Sequence, residues 1–216
     1  MKILICGKGG SGKSTIASML AKNLLQKGYR VLVVDTDESN YGLNNQLGLE
    51  SPTSLMDQMG GKKTILTKLL SAYYDGKPTS VIKETWTIDQ IPTECVSKKD
   101  NLYLMQIGKL QHFGEGCACP MGGLSKDFVS NLKLAPKDVA IIDTEAGKEH
   151  LARGVATGVD VVLMVLDPSY ESIKLSKKTA TMVGEANKSV YFILNKINDQ
   201  LAAAMIQKLG EKQVIA

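Results

Sequence analysis

Short apolar runs alternate with longer amphipathic segments along most of this chain. The apolar runs predict strands at 2–6, 31–35, 102–107, 138–143, 159–166 and 189–195. The amphipathic segments predict helices at 13–27, 122–133, 171–186 and 198–209, with shorter helices at 52–60 and 62–74. Strands that alternate with helices in this way predict an α/β fold with a mostly parallel central sheet and helices on both of its faces.

Two segments depart from this alternation. Residues 48–101 are rich in Lys, Ser, Thr and Pro and contain only brief apolar pieces, so we expect an irregular insertion at the edge of the sheet. Residues 213–216 predict the beginning of another strand, and we expect elements that belong after residue 216 to be missing. We expect residues 1–216 to form a single domain around one core.

The composition excludes several classes of partner. Hydrophobic residues make up 44% of the chain and charged residues 22%, which is ordinary for an intracellular domain. The net charge of +4 comes from dispersed lysines, without the arginines and aromatic residues typical of a nucleic-acid surface. No apolar stretch reaches the roughly 18 residues of a membrane span. We therefore expect a cytoplasmic protein that binds neither nucleic acid nor membrane.

A glycine-rich motif lies between the first predicted strand and the first predicted helix. Gly7, Gly12, Lys13 and Ser14 match the pattern G-x-x-x-x-G-K-[ST] of a phosphate-binding loop. The backbone N–H groups of such a loop bind phosphate oxygens, Lys13 places a charge between the β- and γ-phosphates of ATP or ADP, and Ser14 binds Mg²⁺. The residues expected to contact the nucleotide are Gly9, Gly10, Ser11, Gly12, Lys13, Ser14 and Thr15.

Carboxylates follow two of the predicted strands. Asp35 and Asp37 end the second strand and Asp143 ends the strand at 138–143, at the sheet edge where α/β proteins bind ligands. We expect Asp37 to orient the attacking water and to share Mg²⁺. The stretch also resembles the switch I segment of nucleotide-hydrolysing proteins, and this resemblance implies that Asp35 acts on the ion through water. Asp143 is expected to hold the Mg²⁺ hydration shell against Ser14. A turn or helix-cap role for Asp37 stays open.

The base of the nucleotide has candidate contacts at two further strand ends. The amide of Asn195 can both donate to and accept from the edge of adenine, with Lys196 next to it. Pro168 follows the strand at 159–166 and is expected to form another wall of the pocket. The alternative for Asn195 is a turn that simply ends its strand.

Lys8 is an additional lysine in the loop, five residues before Lys13. It resembles the signature lysine of the deviant Walker A ATPases, the P-loop NTPase group that contains MinD, the nitrogenase iron protein and the arsenite-pump ATPase. The resemblance implies a homodimer in which Lys8 reaches the phosphates of the partner and stabilises the transition state of hydrolysis. A solvated loop lysine is the alternative.

Four cysteines are present, and two of them form a Cys-x-Cys pair. Cys117 and Cys119 lie in a glycine-rich stretch, where two thiols can face one soft metal ion. A two-fold axis beside them would bring four thiolates together, which suits Zn²⁺, Ni²⁺ or an iron–sulfur cluster, and the residues do not decide which. We expect the pair to stay reduced in a cytoplasmic protein. A coincidental spacing or a structural turn is the alternative.

Other soft or basic side chains are weaker candidates. Cys6 lies within the first predicted strand and Cys95 within the segment 48–101, so neither is expected to bind metal. We also exclude His112, His150 and Met121: a lone loop histidine such as His112 is more often solvated, His150 is expected to cap or pack at the start of a helix, and Met121 is expected to pack.

Four stretches together resemble the nickel-inserting ATPases of the CooC type, which mature carbon monoxide dehydrogenase. They are the phosphate loop, Gly114–Met121, Asp143–His150 and Asp167–Ser169; the resemblance is loose across 48–101. It implies Mg²⁺-dependent hydrolysis of ATP to ADP and phosphate, and a homodimer that depends on nucleotide and metal. It also implies Ni²⁺, or Zn²⁺ in the same site, held by Cys117 and Cys119 of both protomers. The implied client is carbon monoxide dehydrogenase or the related acetyl-CoA synthase.

Two other functions stay open. One is an ATP-gated iron–sulfur electron donor resembling the nitrogenase iron protein, although the cluster cysteines of that protein are far apart in sequence. The other is a positioning ATPase similar to MinD or ParA, which needs an amphipathic membrane helix or a basic DNA-binding face. The sequence shows neither feature.

Overall fold

The computed structural model describes residues 1–74, 80–109, 119–144 and 154–216. Within these residues seven strands form one sheet. They are β1 (Lys2–Gly7), β2 (Arg30–Asp35), β3 (Val96–Lys99), β4 (Leu102–Gln106), β5 (Asp138–Asp143), β6 (Val161–Leu166) and β7 (Ser189–Leu194). Their order across the sheet is β3-β4-β2-β5-β1-β6-β7. Neighbouring strands are parallel, except that β3 runs antiparallel to β4.

The helices of the described residues connect these strands. They are α1 (Lys13–Gln26), α2 (Leu43–Leu47), α3 (Leu55–Gln58), α4 (Gly61–Tyr74), α5 (Cys119–Asn131), α6 (Tyr170–Glu185) and α7 (Asp199–Leu209). Short 3₁₀ turns occur at Ile88–Gln90, Thr93–Cys95, Val155–Gly158 and Glu211–Gln213. After the last turn, Val214 forms an isolated parallel bridge with Phe192 of β7.

The core lies on both faces of the sheet. Successive residues of a strand point to opposite faces, so Ile3 and Ile5 contact one apolar cluster while Leu4 and Cys6 contact the other. The first cluster includes residues of α1 and α2, and the second includes residues of α3, α4, α5, α6 and α7. Burying one aliphatic side chain stabilises the fold by about 1.5–3 kcal/mol, so both faces of the central strands hold the sheet in place.

Strand register brings the carboxyl ends of the central strands together. Asp35 of β2 lies beside Asp143 of β5, and Asp143 lies beside Ile5 of β1, two residues before Gly7. Because β1 has β5 on one side and β6 on the other, the chain that leaves β1 enters the crevice at this switch point of the sheet. The sheet therefore places the glycine loop next to two carboxylates.

The predicted fold class is confirmed: a mostly parallel sheet with helices on both faces. All six predicted strands and all six predicted helices are present, and α5 begins three residues before the predicted helix at 122–133. The segment 48–101 contains α3, α4 and β3. The prediction missed β3 and α2, which have four and five residues. β3 is a partly exposed edge strand with two lysines, and such strands lack the apolar alternation that identifies a strand.

Candidate functional site

The phosphate loop leaves β1 at the carboxyl edge of the sheet and leads directly into α1. Gly7, Gly10 and Gly12 have positive φ values of 149°, 75° and 101°, and a Cβ at Gly7 would lie 2.4 Å from the carbonyl oxygen of Val165. Gly12 is the N-cap of α1, and no side chain caps this 14-residue helix. The first amides of the helix therefore remain available to an anion held in the loop.

The two lysines of the loop have different surroundings. Lys13 is 7% exposed, and its Nζ donates to the carbonyl oxygen of Lys8 at 3.4 Å. The Nζ of Lys8 instead donates to Ser169 Oγ at 3.3 Å and lies 3.7 Å from Asp167 and 3.8 Å from Glu171. The side chain of Lys8 is 34% exposed, so these long ion pairs hold it weakly. Its predicted reach across a dimer interface stays a prediction.

Ser14 and Asp143 meet where α1 begins and β5 ends. Ser14 Oγ donates to Asp143 Oδ2 at 2.6 Å, and Asn40 Nδ2 donates to Ser14 Oγ at 2.7 Å. Asp143 is fully buried, and among the described residues its Oδ1 has no hydrogen-bond partner. Burial raises the pKa of Asp143 to about 7, and the negative charge of Asp35 acts in the same direction.

An unpartnered carboxylate oxygen beside a serine hydroxyl fits a nucleotide-bound Mg²⁺ ion. Mg²⁺ in such sites takes one or two protein oxygens, keeps several waters and binds the phosphates. In the described ranges no three His, Cys, Asp or Glu side chains are grouped to hold a metal. The structure thus brings the predicted Ser14 and Asp143 together, and a cation between them would satisfy the buried charge.

Residues 35–40 form a tight turn after β2. Asp37 Oδ1 accepts hydrogen bonds from the N and Oγ of Ser39, at 2.9 and 2.7 Å, and the N of Asp37 donates to Asp35 Oδ1 at 3.1 Å. These bonds are those of an Asx-type turn. Asp37 is 8% exposed at the carboxyl edge of the sheet. It is therefore a turn residue, and its predicted roles with water and Mg²⁺ stay predictions.

Lys109 is a site residue that the sequence pattern did not predict. Its Nζ donates to Asp35 Oδ2 at 2.7 Å and to the backbone carbonyls of Asp37 and Asn40. The two side chains of the ion pair are 6% and 1% exposed. Burial raises the pKa of Asp35 to about 6, although the charge of Lys109 opposes the shift. Both oxygens of Asp35 thus have protein partners, and the water-mediated role of Asp35 at Mg²⁺ stays a prediction.

Asn195 and Lys196, which were predicted to bind the base, instead form hydrogen bonds with the phosphate loop. Asn195 Nδ2 donates to the carbonyl oxygen of Ser11 at 2.8 Å, and Lys196 Nζ donates to that of Gly10, also at 2.8 Å. Asp167 accepts hydrogen bonds from the N and Oγ of Ser169. Pro168 lies between these two residues, in the turn that precedes α6. The carboxyl end of β7 therefore supports the loop, and the contacts with adenine stay a prediction.

Comparison with known proteins identifies the family. Residues 2–215 match the model of the CobQ/CobB/MinD/ParA nucleotide binding domain. The chain belongs to this family. It is 47% identical to an uncharacterized ATP-binding protein of Methanocaldococcus jannaschii over 216 residues, which cover 100% of this chain and 86% of that protein. It is 29% identical to the carbon monoxide dehydrogenase accessory protein CooC of Rhodospirillum rubrum over 205 residues, 91% of this chain and 74% of that protein.

The fold is that of MinD. The septum site-determining protein MinD of Pyrococcus horikoshii, solved with Mg-ADP, superposes with a TM-score of 0.66 at 20% identity. The match covers 97% of this chain and 77% of that one. The apo structure of McdA from Cyanothece superposes with a TM-score of 0.62 at 19% identity, over 100% and 84% of the two chains. These likenesses establish the architecture that surrounds the loop.

Of the two cysteines in the Cys-x-Cys pair, the structure describes only Cys119. Cys119 begins α5, is exposed and takes part in a disulfide, so the expected thiol is oxidised in this structure. A disulfide sulfur cannot bind metal as a thiolate, and a metal site at Cys119 therefore requires reduction. Three other candidate residues, Cys117, His112 and His150, lie outside the described residues.

The remaining cysteines are structural. Cys6 and Cys95 are buried free thiols, and burial raises the pKa of Cys6 to about 12. Met121 is also buried, and its side-chain atoms lie 3.3 Å from the position of a Cβ at Gly108. The burial of Cys6 and Met121 agrees with the packing roles expected for them. Among the described helices, none has the length and apolar character that crossing a bilayer requires.

Proposed function

We propose that this chain is a dimeric ATPase that binds nickel through Cys117 and Cys119 and delivers it to a nickel enzyme. The client would be carbon monoxide dehydrogenase or the related acetyl-CoA synthase. The observation that carries the ATPase part is the hydrogen bond between Ser14 and the buried Asp143, beside a glycine loop that contains Lys13. The metal part rests on the Cys-x-Cys pair and on the similarity to the accessory protein CooC.

In the proposed reaction, water attacks the γ-phosphorus of ATP and the bond to the β-phosphate oxygen breaks, which gives ADP and phosphate. The loop amides and Lys13 bind the phosphates, and the N-terminus of α1 stabilises their negative charge. Asp37 orients the water by accepting a hydrogen bond from it. Ser14, Asp37 and Asp143 would hold Mg²⁺, partly through water, and the bound ion would supply positive charge that neutralises the phosphates.

Lys8 completes each site from the partner protomer. Its contacts with Ser169, Asp167 and Glu171 are long and partly exposed, so leaving them costs little. An ammonium placed at the γ-phosphate of the partner would stabilise the transition state as an arginine finger does. ATP binding and dimer formation would then depend on each other.

A subunit-mixing experiment tests this arrangement. Lys8→Ala and Asp37→Asn should each be inactive alone, but a mixed dimer contains one intact site: the Asp37 of the first variant with the Lys8 of the second. An equal mixture should therefore recover about one quarter of the wild-type turnover, since half of the dimers are mixed and each has one working site of two. If Lys8 acts within its own chain, no mixture recovers activity.

A matched control separates mixing from other effects. An equal mixture of the single variants Asp37→Asn and Lys13→Ala should stay inactive. Every protomer in this mixture has a defect in its own nucleotide site, so no dimer contains a working site. Recovery in this control would contradict the assignment of Asp37 or Lys13 to hydrolysis.

The cysteine part has its own test under anaerobic, reducing conditions. The double variant Cys117→Ser, Cys119→Ser should hydrolyse ATP without metal at the wild-type rate and lose the ability to activate the nickel-free client. Unchanged client activation by this variant would exclude the cysteines as the carrier site.

A further inference from the structure

The ammonium group of Lys109 holds the turn at residues 35–40. Its Nζ donates to Asp35 Oδ2 at 2.7 Å and to the backbone carbonyl oxygens of Asp37 and Asn40. Three acceptors match the three N–H donors of a lysine, and the side chain is 6% exposed. Only one of these acceptors carries a charge. Lys109 therefore both balances the charge of Asp35 and fixes the backbone of the turn at two positions.

The backbone that carries Lys109 is itself anchored. The N of Ile107 donates to the carbonyl oxygen of Asp35 at 3.0 Å, and the N of Met56 donates to the carbonyl oxygen of Ile107 at 2.9 Å. β4, which ends at Gln106, is paired with β2 along its whole length. The side chain of Lys109 thus reaches the turn from a base that the sheet holds in place.

The turn is connected to the proposed Mg²⁺ site through Asn40. Asn40 Nδ2 donates to Ser14 Oγ at 2.7 Å, and Ser14 Oγ donates to Asp143 Oδ2 at 2.6 Å. Asp143 is the register neighbour of Asp35, to which Lys109 is bonded. Hydrogen bonds and strand pairing thus form a closed ring, in which the carbonyl of Asn40 is bonded to Lys109 and its amide to Ser14. The orientation of the Ser14 hydroxyl therefore depends on the turn.

The proposed water-orienting residue, Asp37, lies in the same turn. Its N donates to Asp35 Oδ1 at 3.1 Å, and its carbonyl oxygen accepts from Lys109. The backbone of Asp37 is therefore held on both sides. A group that orients water must stay within about 0.5 Å of its working position, and a shift of about 1 Å can cost a hundred-fold in rate. The position of the Asp37 carboxylate thus depends on the contacts of Lys109.

We infer that Lys109 is a positioning residue for ATP hydrolysis. It holds the turn so that Asn40 orients Ser14 for Mg²⁺ and the carboxylate of Asp37 faces the attacking water. This inference rests on the proposed ATPase function and does not involve the cysteines or nickel. A lysine that only balanced the charge of Asp35 would have neither effect.

A comparison in the background of Asp35→Asn separates these two roles. The double variant Asp35→Asn, Lys109→Met carries neither charge of the buried pair, so no charge is left unpaired. The single variant Asp35→Asn retains the lysine and the two carbonyl oxygens that it binds. Any difference between the two variants therefore reports what Lys109 does besides balancing the charge of Asp35.

Hydrogen exchange measures the turn directly, in protein without nucleotide or metal. The amides of Thr36, Asp37, Ser39 and Gly42 donate hydrogen bonds in this segment. Mass spectrometry of peptides that cover 36–42 should show exchange at least about ten-fold faster in the double variant than in Asp35→Asn, because two charge-assisted hydrogen bonds to the turn are lost.

Two functional measurements follow on the same pair of variants. The kcat for ATP should be at least about ten-fold lower in the double variant, with KM changed by less than about three-fold, as expected for a group that acts on the transition state. The factor by which Mg²⁺ tightens ADP binding, which needs no hydrolysis, should fall by at least about three-fold.

Lys99→Met in the Asp35→Asn background is the matched control. Lys99 is an exposed lysine on β3, and its substitution removes the same charge. Exchange at 36–42, kcat and the Mg²⁺ effect should all equal those of Asp35→Asn. All values are compared at protein concentrations where size-exclusion chromatography gives the same oligomeric state.

The outcomes distinguish this inference from the proposed function. Faster exchange in the double variant together with a lower kcat or a weaker Mg²⁺ effect supports the positioning role, and any other combination overturns it. A wild type that hydrolyses no ATP refutes the proposed ATPase; exchange and the Mg²⁺ effect on ADP binding then still decide the role of Lys109.

Discussion

Gly12→Ala should destabilise the protein through two separate effects. Gly12 has a φ of 101°, where an alanine is strained by about 1–2 kcal/mol. The added Cβ would also lie 2.3 Å from Asn195 Nδ2, which must move and lose its hydrogen bond to Ser11, at a cost of about 1 kcal/mol. The expected loss in the free energy of unfolding is therefore about 2–3 kcal/mol.

Gly48→Ala is the matched control. Gly48 has a φ of 70° with no atom within 4 Å of an added Cβ, so its alanine variant has the strain without the clash. The entropy lost by the unfolded chain is the same in both variants and cancels in the comparison. In urea unfolding followed by circular dichroism, the free energy of unfolding of Gly12→Ala should thus be about 1 kcal/mol lower than that of Gly48→Ala.

A double-mutant cycle locates the difference. In the background of Asn195→Ala the clash is absent, and Gly12→Ala should cost no more than Gly48→Ala. If Gly12→Ala equals the control in the wild-type background, or if the excess cost persists without Asn195, then the contact between β7 and the phosphate loop does not have the role described.

Three further results are expected. Asp138→Asn should lower the free energy of unfolding by about 1.5–3 kcal/mol near pH 7, because it breaks a bidentate pair between the buried Asp138 and the partly exposed Arg30. Since hydrogen bonds from Arg30 lower the pKa of Asp138, the wild type should lose this advantage as the pH falls below about 4, measured by urea unfolding at several pH values. Ser14→Ala should abolish the effect of Mg²⁺ on ADP affinity in a fluorescence titration. Iodoacetamide at pH 8 should leave Cys6 unmodified until the reduced protein is unfolded in urea, as peptide mass spectrometry would show, because burial raises the pKa of its thiol to about 12.

The elements that the sequence predicts are those that bury apolar side chains in a regular period. β1, β2, β5 and β6 are almost wholly buried, so their apolar runs are unbroken and easy to recognise. β3 has no such run because it is an edge strand that pairs with β4 alone. Two residues, Asp100 and Asn101, connect β3 to β4, and Asp100 has a φ of 53°. A two-residue Asp-Asn connection of this kind is the sequence signal that could have identified the hairpin.

Some residues of the candidate site could also be predicted from the sequence, and others could not. The phosphate loop and Asp143 could be predicted because a local motif places each of them at the end of a strand. The contacts of Lys109 and Asn195 could not be predicted, because they join residues that are far apart in sequence. Lys109 contacts Asp35, 74 positions away, and Asn195 contacts Ser11, 184 positions away. Such contacts depend on the order of strands in the sheet, which the pattern of apolar residues does not specify.

An anaerobic nickel titration shows whether Cys117 and Cys119 bind the metal. The reduced protein is loaded with ADP or a non-hydrolysable ATP analogue, and thiolate-to-nickel absorbance is recorded together with the mass of the particle in solution. We expect one Ni²⁺ per dimer with sulfur charge-transfer bands, and no such bands in the variant Cys117→Ser, Cys119→Ser. A dimer that forms with nucleotide but shows no thiolate–nickel signal would contradict this expectation and leave an ATPase switch with a different cargo.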